Sequence, residues 1–261
     1  MKGAAAYILP ALLGVAALAL WEFLVRLYDV PVFLLPAPSA IGTALAGNFA
    51  SLLDSLWVTL QVTWLAFAIA LAGGLALAVL FARSRTLEAS LFPYAVILQV
   101  TPVIAIAPLI LIWIGYEHVE RAAVVIALIV AFFPILSNAT IGLRSVDPDL
   151  MDLFRLYGAS SWQILWRLQL PGALPYILTG MKISGGLALI GAVVAEFAAG
   201  SGAATGLAWR IVEAGNRLEI ARMFAALALL SLAGILNFYL LTGLEWLLLH
   251  RWHESAAKTR R

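Results

Sequence analysis

The sequence predicts an all-α integral membrane protein with about six transmembrane helices and a cytoplasmic helical loop between spans four and five. Of its 261 residues, 64% are hydrophobic and 11% are charged, and the mean hydropathy is +1.01, which lies far outside the range of soluble domains. Six apolar stretches are each long enough to cross about 30 Å of hydrocarbon, which takes about 20 helical residues. One amphipathic stretch, residues 147–173, interrupts them.

The six predicted spans follow the apolar runs and together form one transmembrane domain over residues 1–261. They lie near 5–27, 57–82, 91–114, 122–143, 174–199 and 223–249. The first run continues past Trp21 without a small-residue cleavage site before Glu22. We therefore interpret it as a retained span and not as a signal peptide.

The connection between spans one and two is rich in proline. Pro31, Pro36 and Pro38 exclude a regular helix there. Ser39 can cap the helix that follows, and we predict a surface helix over residues 40–56 that leads back to the membrane.

Span three contains Pro93, Pro102 and Pro108 together with Gln99 and Thr101. Proline removes a backbone hydrogen bond and clashes with the preceding turn, so this helix is expected to be kinked or interrupted. Broken backbone at membrane depth is tolerated only where protein or a water-filled cavity surrounds it. We therefore predict that Gln99, Thr101, Pro102 and Pro108 line a pathway; the alternative is a kink that only shapes the bundle.

Span five carries Glu196 near its end, and this ionisable group is the fifth predicted pathway residue. A hydrogen-bonded helix end explains Glu196 equally well. Spans two and five also contain glycines, which predict close helix packing. These glycines are Gly73, Gly74, Gly180, Gly185, Gly186 and Gly191.

No catalytic residue, metal site or cofactor site is predicted in this chain. It has no cysteine, and it lacks the H-E-x-x-H, G-x-S-x-G and Walker phosphate-binding patterns. Glu117, His118 and Glu120 share a short polar turn, which favours solvated side chains over a metal site. The formal charge of +2 comes with scattered basic residues, so nucleic-acid binding is not indicated.

The distribution of basic residues predicts that both termini are cytoplasmic. With that orientation, eleven of the 16 lysines and arginines lie inside and five lie outside. The inner set is Lys2, Arg83, Arg85, Arg144, Arg155, Arg167, Lys182, Arg251, Lys258, Arg260 and Arg261; the outer set is Arg26, Arg121, Arg210, Arg217 and Arg222.

Residues 147–173 predict two short amphipathic helices. Asp147 can cap the first helix, Pro148 suits its first position, and Gly158 supplies a left-handed stop. Ser160 and Gln163 form a capping-box pattern that begins the second helix. The first helix presents an apolar face of Leu150, Leu153, Phe154 and Tyr157. The second presents Trp162, Leu165 and Trp166, and Leu170-Pro171 is predicted to end it.

Two interpretations of this loop are open: an interfacial helix pair that rests on the bilayer, and a docking element for a soluble partner. The stretch resembles the cytoplasmic "EAA" loop of ATP-binding-cassette (ABC) importer permeases, whose pattern is E-A-A, then Gly, then I-x-L-P. The Glu-Ala-Ala triplet itself is absent. The positions that match the pattern are Asp152-Leu153-Phe154 in place of E-A-A, Gly158 for the glycine, and Leu168, Leu170 and Pro171 for I-x-L-P.

The resemblance extends over nearly the whole chain. Leu170 to Gly180, Val193 to Phe197 and Ala107 to Gly115 are similar to motifs of permeases for nitrate, taurine, alkanesulfonates and thiamine-precursor pyrimidines. The run T-P-V-I-A-I-A-P-L is closer to the pyrimidine-precursor or riboflavin-like branch. The resemblance implies an importer permease without catalytic activity; the alternative is a self-contained channel or secondary transporter.

The resemblance also implies partners and a location. It implies a second, identical permease chain and two cytoplasmic ABC ATPases that carry ATP and Mg²⁺. It further implies a periplasmic or lipid-anchored binding protein, and a place in the lipid bilayer of a bacterial inner membrane. The residues implied to contact the ATPase are Asp152, Leu153, Phe154, Gly158, Ala159, Leu168, Leu170 and Pro171.

Overall fold

The computed structural model describes residues 2–200 and 205–250, with side chains from residue 8 onward, and every regular element in this part of the chain is helical. Four of the predicted inner basic residues, Arg251, Lys258, Arg260 and Arg261, and the side chain of Lys2 lie outside it. The α-helices are α1 (Lys2–Leu27), α2 (Pro38–Arg83), α3 (Arg85–Val100), α4 (Val103–Ile114), α5 (Val119–Arg144), α6 (Pro148–Leu156), α7 (Ser161–Ile164), α8 (Leu170–Ala199), α9 (Leu207–Asn216) and α10 (Ile220–Leu249). A 3₁₀ turn (Tyr116–His118) precedes α5, and a π-helical turn (Leu165–Gln169) joins α7 to α8.

The predicted all-α membrane fold is confirmed. Within the described residues, five helical segments are long and apolar enough to cross a membrane, and the bent pair α3 and α4 makes a sixth if it is one broken span. The five segments are Ile8–Leu27, Pro38–Arg83, Tyr116–Arg144, Ser161–Ala199 and Ile220–Leu249.

Helix α2 is longer than predicted. Its 46 residues run without a break from Pro38 to Arg83, which corresponds to roughly 69 Å at a rise of 1.5 Å per residue. The prediction of a separate surface helix over residues 40–56 is therefore wrong. No proline lies between Pro38 and Pro93 to end the helix.

The predicted cap of α2 is also wrong. Ser39 lies inside the first turn of the helix. Its amide nitrogen and its hydroxyl group donate to the Glu22 carboxylate of α1 over 2.9 and 2.8 Å. The carboxylate that satisfies this helix start therefore comes from another helix.

The predicted interruption of span three is confirmed at one of its three prolines. Helices α3 and α4 meet at an angle of 101° on either side of Thr101 and Pro102, whereas Pro93 and Pro108 lie inside the helices. Pro102 has no N–H and forces extended backbone on Thr101, whose φ and ψ are −68° and 126°. The last turn of α3 is closed by the Thr101 amide and hydroxyl, which both donate to the Ile97 carbonyl oxygen.

The described residues form two compact units. One comprises residues 2–58 and 205–232, and the other comprises residues 59–200 and 233–250. The loop of residues 147–173 belongs to the second unit.

In the first unit, α9 carries a network of charged side chains. Arg210 donates to Ser55 over 3.0 Å and to Glu213 over 2.8 Å, and Arg217 pairs with the same carboxylate at 2.9 Å. The hydrogen bond from Arg210 lowers the pKa of the Glu213 carboxyl group. The partial burial of Glu213 acts in the opposite direction but is the smaller effect. Because the folded-state pKa is lowered, the stabilisation is present at neutral pH and is lost as the pH falls through the acidic range.

The second unit is built on the packing of α5 against α8. Close packing through glycine is confirmed in α8: a Cβ atom on Gly180 would lie 2.9 Å from the Pro134 carbonyl oxygen, and one on Gly191 would lie 2.6 Å from the Ala127 Cα. The prediction is wrong for Gly186, around which there is open space. The remaining predicted glycines approach Phe132 (Gly73), Ile135 (Gly74) and Leu241 (Gly185).

Gly191→Val is expected to lower the free energy of unfolding by about 1–3 kcal/mol, because the added methyl groups meet the backbone of α5. Gly186→Val makes the same chemical change on the same helix where space is open, and it serves as the control. Thermal unfolding of the two detergent-solubilised variants measures the difference. Equal melting temperatures would contradict the close approach at Gly191.

Candidate functional site

The first helix of the loop has the predicted boundaries. The Asp147 side chain accepts a hydrogen bond from the Asp149 amide over 2.9 Å, and Pro148 occupies the first position of α6. No residue of α6 is buried. The side chains of Leu150 and Leu153 are each 45% exposed, so the predicted apolar face is available for contact with another molecule.

Gly158 ends α6 in the predicted left-handed conformation, with φ of +69°. Its amide donates to the Arg155 carbonyl oxygen, and the Ala159 amide donates to that of Phe154, both over 3.0 Å. The turn brings the next helix back beside α6.

The second helix begins with the predicted capping box. The Gln163 amide donates to the Ser160 hydroxyl oxygen over 3.3 Å, and the Ser160 amide donates to the Gln163 side-chain oxygen over 2.7 Å. Each of two N–H groups at the start of α7 thus has a partner, and the entry angle of the helix is defined locally.

A cleft of about 370 Å³ lies between the two helices of the loop. Its surface combines apolar groups with the polar side chains of Tyr157, Gln163 and Arg167. It is lined by Leu153, Phe154, Tyr157, Gly158, Ala159, Gln163 and Arg167. Four predicted coupling residues therefore share one surface, whereas Asp152 lies beside it and pairs with Arg155 at 3.2 Å.

The predicted end of the second helix at Leu170-Pro171 is wrong. The segment Ser161–Ala199 is one continuous helical run, so the fifth span has no separate start near residue 174. Pro171 has no N–H to donate to the Arg167 carbonyl, and the chain widens into a π-helical turn in which the Leu170 amide donates to the Leu165 carbonyl oxygen. The helix continues where an ordinary α-turn would be broken.

This continuity changes the position of the remaining coupling candidates. Leu168, Leu170 and Pro171 are half-buried in the run that joins the cleft to α8, and they do not line the cleft. The predicted shared face of Trp162, Leu165 and Trp166 is also wrong. Leu165 is buried in the core, while the two tryptophans are 57% and 65% exposed.

Polar contacts that sequence reasoning missed attach the loop to the bundle. Gln169 donates from its side chain to the Leu143 carbonyl oxygen over 3.2 Å. Arg144 forms an ion pair with Glu88 and also donates to the Phe81 carbonyl oxygen over 3.3 Å. The only sequence signal for these contacts is the position of polar residues at the ends of spans. Together, the three contacts join the ends of α2, α3, α5 and α8 beside the loop.

The predicted pathway residues occupy two places. Gln99, Thr101 and Pro102 adjoin the break between α3 and α4, and Pro108 is exposed on α4. Glu196 lies in α8, where it is 4% exposed and accepts a hydrogen bond from the Thr59 hydroxyl over 2.7 Å. That bond agrees with the alternative explanation, in which Glu196 is a hydrogen-bonded residue near the end of a helix and not part of a pathway.

A second missed contact links two spans. The Lys182 ammonium group of α8 lies 2.6 Å from the Glu245 carboxylate of α10, and both side chains are 24% exposed. Charged groups within apolar helices are costly unless they are paired, so this ion pair contributes to how α8 and α10 associate.

The fold and the site define a polytopic α-helical membrane protein that presents an exposed, capped helix pair between two of its spans. The chain belongs to the family described as binding-protein-dependent transport system inner membrane component, which matches residues 70–245. It is a permease component of an ABC importer for small solutes, and the channel or secondary-transporter alternative is not favoured.

Several known proteins are similar to this chain over most of its length. A probable ABC transporter permease protein of Haemophilus influenzae is 32% identical and covers 93% of this chain and 96% of its own. A formylaminopyrimidine transport permease of Halalkalibacterium halodurans is 34% identical, and the alignment covers 92% of this chain and 94% of the relative. A riboflavin transport system permease of Chloroflexus aurantiacus is 36% identical over 91% and 87%.

Solved structures share the fold. A structure of the MetNI methionine ABC transporter in an inward-facing conformation aligns with a TM-score of 0.67 and 21% identity, covering 77% of this chain and 98% of the matched chain. A structure of an amino acid ABC transporter aligns with a TM-score of 0.64 and 17% identity, covering 78% and 96%.

Proposed function

We propose that the cleft formed by Leu153, Phe154, Gly158 and Ala159 is where a cytoplasmic ABC ATPase docks. The observation that carries this proposal is the exposed apolar surface of α6, whose ends are defined by the Asp147 cap and the Gly158 turn. The other wall of the cleft belongs to the run Ser161–Ala199, which continues without a break into α8. An exposed apolar surface of this kind is typical of protein interfaces. Asp152 at the edge, and Leu168, Leu170 and Pro171 in the connecting run, support the docking surface.

In the proposed assembly, this chain pairs with a second, identical permease chain in a bacterial inner membrane, with both termini in the cytoplasm. Two ATPases bind ATP and Mg²⁺ and carry out hydrolysis, while a periplasmic or lipid-anchored protein delivers the solute. The family description, which specifies binding-protein-dependent transport, supports these partners.

The proposed mechanism is alternating access. Closure of the ATPases around ATP moves α6, and the contacts of Gln169 with Leu143 and of Arg144 with Glu88 transmit this movement to the spans. Because these contacts join the ends of rigid helices, the loop and the spans move together.

The proposed pathway runs beside the break between α3 and α4. Interrupted backbone at membrane depth needs protein or water around it, which supports pathway roles for Gln99, Thr101, Pro102 and Pro108. Glu196 is proposed as a buried polar group at the same pathway, with its carboxylate oriented by Thr59.

The proposed solute is a pyrimidine or another vitamin precursor. Identity is 34% to the formylaminopyrimidine permease and 36% to the riboflavin permease, against 30% to aliphatic sulfonate permeases of Bacillus subtilis and Escherichia coli. A sulfonate-like or nitrate-like anion is the second candidate. Ligand binding to the partner binding protein, measured by calorimetry with both classes of solute, distinguishes the two.

Leu153→Asp tests the docking surface. The substitution replaces an apolar side chain of the cleft with a carboxylate and is expected to weaken ATPase binding at least tenfold, since charged residues are unfavourable at interface cores. Leu156→Asp is the matched control, because Leu156 is on the same helix, is 84% exposed and does not line the cleft. The measurement is ATPase co-purification together with solute uptake in proteoliposomes. Equal losses in both variants would contradict docking at the cleft.

A further inference from the structure

An exposed aromatic and cationic surface is formed by two tryptophans of the loop and the end of α2, outside the proposed docking cleft. Trp162 and Trp166 are 57% and 65% exposed and lie one helical turn apart. The Arg83 guanidinium at the end of α2 lies 4.0 Å from the centre of the Trp162 ring. Neither tryptophan lines the cleft beneath α6.

The positive charge of this surface is not neutralised within the described part of the chain. No carboxylate there lies within 4.0 Å of Arg83 or of Arg85, which is the first residue of α3 and is exposed. The nearby carboxylate of Glu88 is already paired with Arg144. The surface therefore carries two arginines whose charges are available to an external anion.

We propose that Arg83, Arg85, Trp162 and Trp166 form a binding surface for the headgroups of anionic phospholipids. Tryptophan is enriched where hydrocarbon meets the headgroups, because its ring is apolar and its N–H is polar. Arginines at helix ends extend to the phosphate layer, and a leaflet rich in anionic lipid attracts them. Helix α2 ends at Arg83, and the apolar α8 follows the tryptophans along the chain, so both lie where a bilayer boundary is expected.

The charge of the neighbouring helix supports a lipid and not a second protein as the occupant. Helix α6 and its cap carry three aspartates, Asp147, Asp149 and Asp152, against one arginine, Arg155, which pairs with Asp152. An anionic bilayer surface repels the remaining negative charge. The acidic helix is thus kept away from the membrane and available to a soluble partner, while the arginine and tryptophan surface is held against the lipid. The inference does not depend on the proposed docking of an ATPase.

The test uses the full-length purified chain, delipidated in detergent and then titrated with mixtures of phosphatidylglycerol and phosphatidylcholine. Native mass spectrometry measures the ratio of the two lipids bound. The wild type is expected to prefer phosphatidylglycerol, and Arg83→Gln/Arg85→Gln to reduce that preference at least fivefold, since each arginine near an anionic surface contributes about this factor. Arg83→Lys/Arg85→Lys keeps the charges and is expected to retain most of the preference.

The matched control is Arg121→Gln, since Arg121 is also exposed and without an ion-pair partner in the described residues, but contacts no tryptophan. It is expected to leave the lipid ratio unchanged. Melting temperatures of all variants report whether they are folded. An unchanged ratio in the folded Arg83→Gln/Arg85→Gln variant, or an equal drop in Arg121→Gln, would overturn the proposal. Weaker ATPase co-purification with an unchanged lipid ratio would assign the surface to a protein partner and would also overturn it.

Discussion

Gly158→Pro is expected to abolish solute uptake while the chain remains folded and inserted in the membrane. Gly158 has φ of +69°, whereas proline is confined to about −65°, so the turn after α6 cannot form. Proline also removes the amide that donates to the Arg155 carbonyl oxygen. The cleft beneath α6 then loses its shape.

Two further variants at this position separate backbone conformation from side-chain size. Gly158→Asn is the control, because asparagine tolerates left-handed backbone, and it is expected to retain most of the uptake. Gly158→Trp is expected to abolish uptake, since a large ring fills the cleft and the conformation is unfavourable. Uptake and insertion are measured together in membranes that contain the assembled importer. Normal uptake by the proline variant would contradict the docking proposal.

Lys182→Met is expected to lower the free energy of unfolding by about 2–3 kcal/mol. The substitution leaves the Glu245 carboxylate without its partner at a position where the side chain is three-quarters buried, and an uncompensated charge there is costly. Thermal unfolding of the detergent-solubilised chain measures the loss.

The double variant Lys182→Met/Glu245→Leu tests the cause of that loss. Replacing both members of the pair with apolar residues removes the unpaired charge, and the stability is expected to return to within about 1 kcal/mol of the wild type. A double variant as unstable as the single one would show that packing of the lysine stem, and not charge, explains the effect of Lys182→Met.

Features that depend on neighbouring residues along the chain were correctly predicted from the sequence. Asp147 and Ser160 cap helices through bonds to amides two or three residues away, and Gly158 ends α6 through its own backbone freedom. The break at Pro102 follows from the missing N–H of that residue. The apolar composition of the spans likewise sufficed for the fold class. None of these features needs a partner from another part of the chain.

Two of the errors occurred where a helix continues past a predicted boundary. The sequence contains no helix-breaking residue that separates residues 40–56 from span two. The helix that continues through Pro171 depends on a π-helical turn, which helix propensities of the residues do not reveal. Packing against the rest of the bundle stabilises the longer helices, and tertiary context overrides a local stop signal.

The sequence by itself determined the membrane class of this protein, the caps and turn of its exposed loop, and the interruption of span three, because each arises from interactions within a few residues. Only the tertiary structure decided which distant groups meet. It paired Lys182 with Glu245 and Arg144 with Glu88, and it placed Ser39 against Glu22. A charge or hydroxyl group in the sequence has many candidate partners, and the packing of the helices selects one by distance.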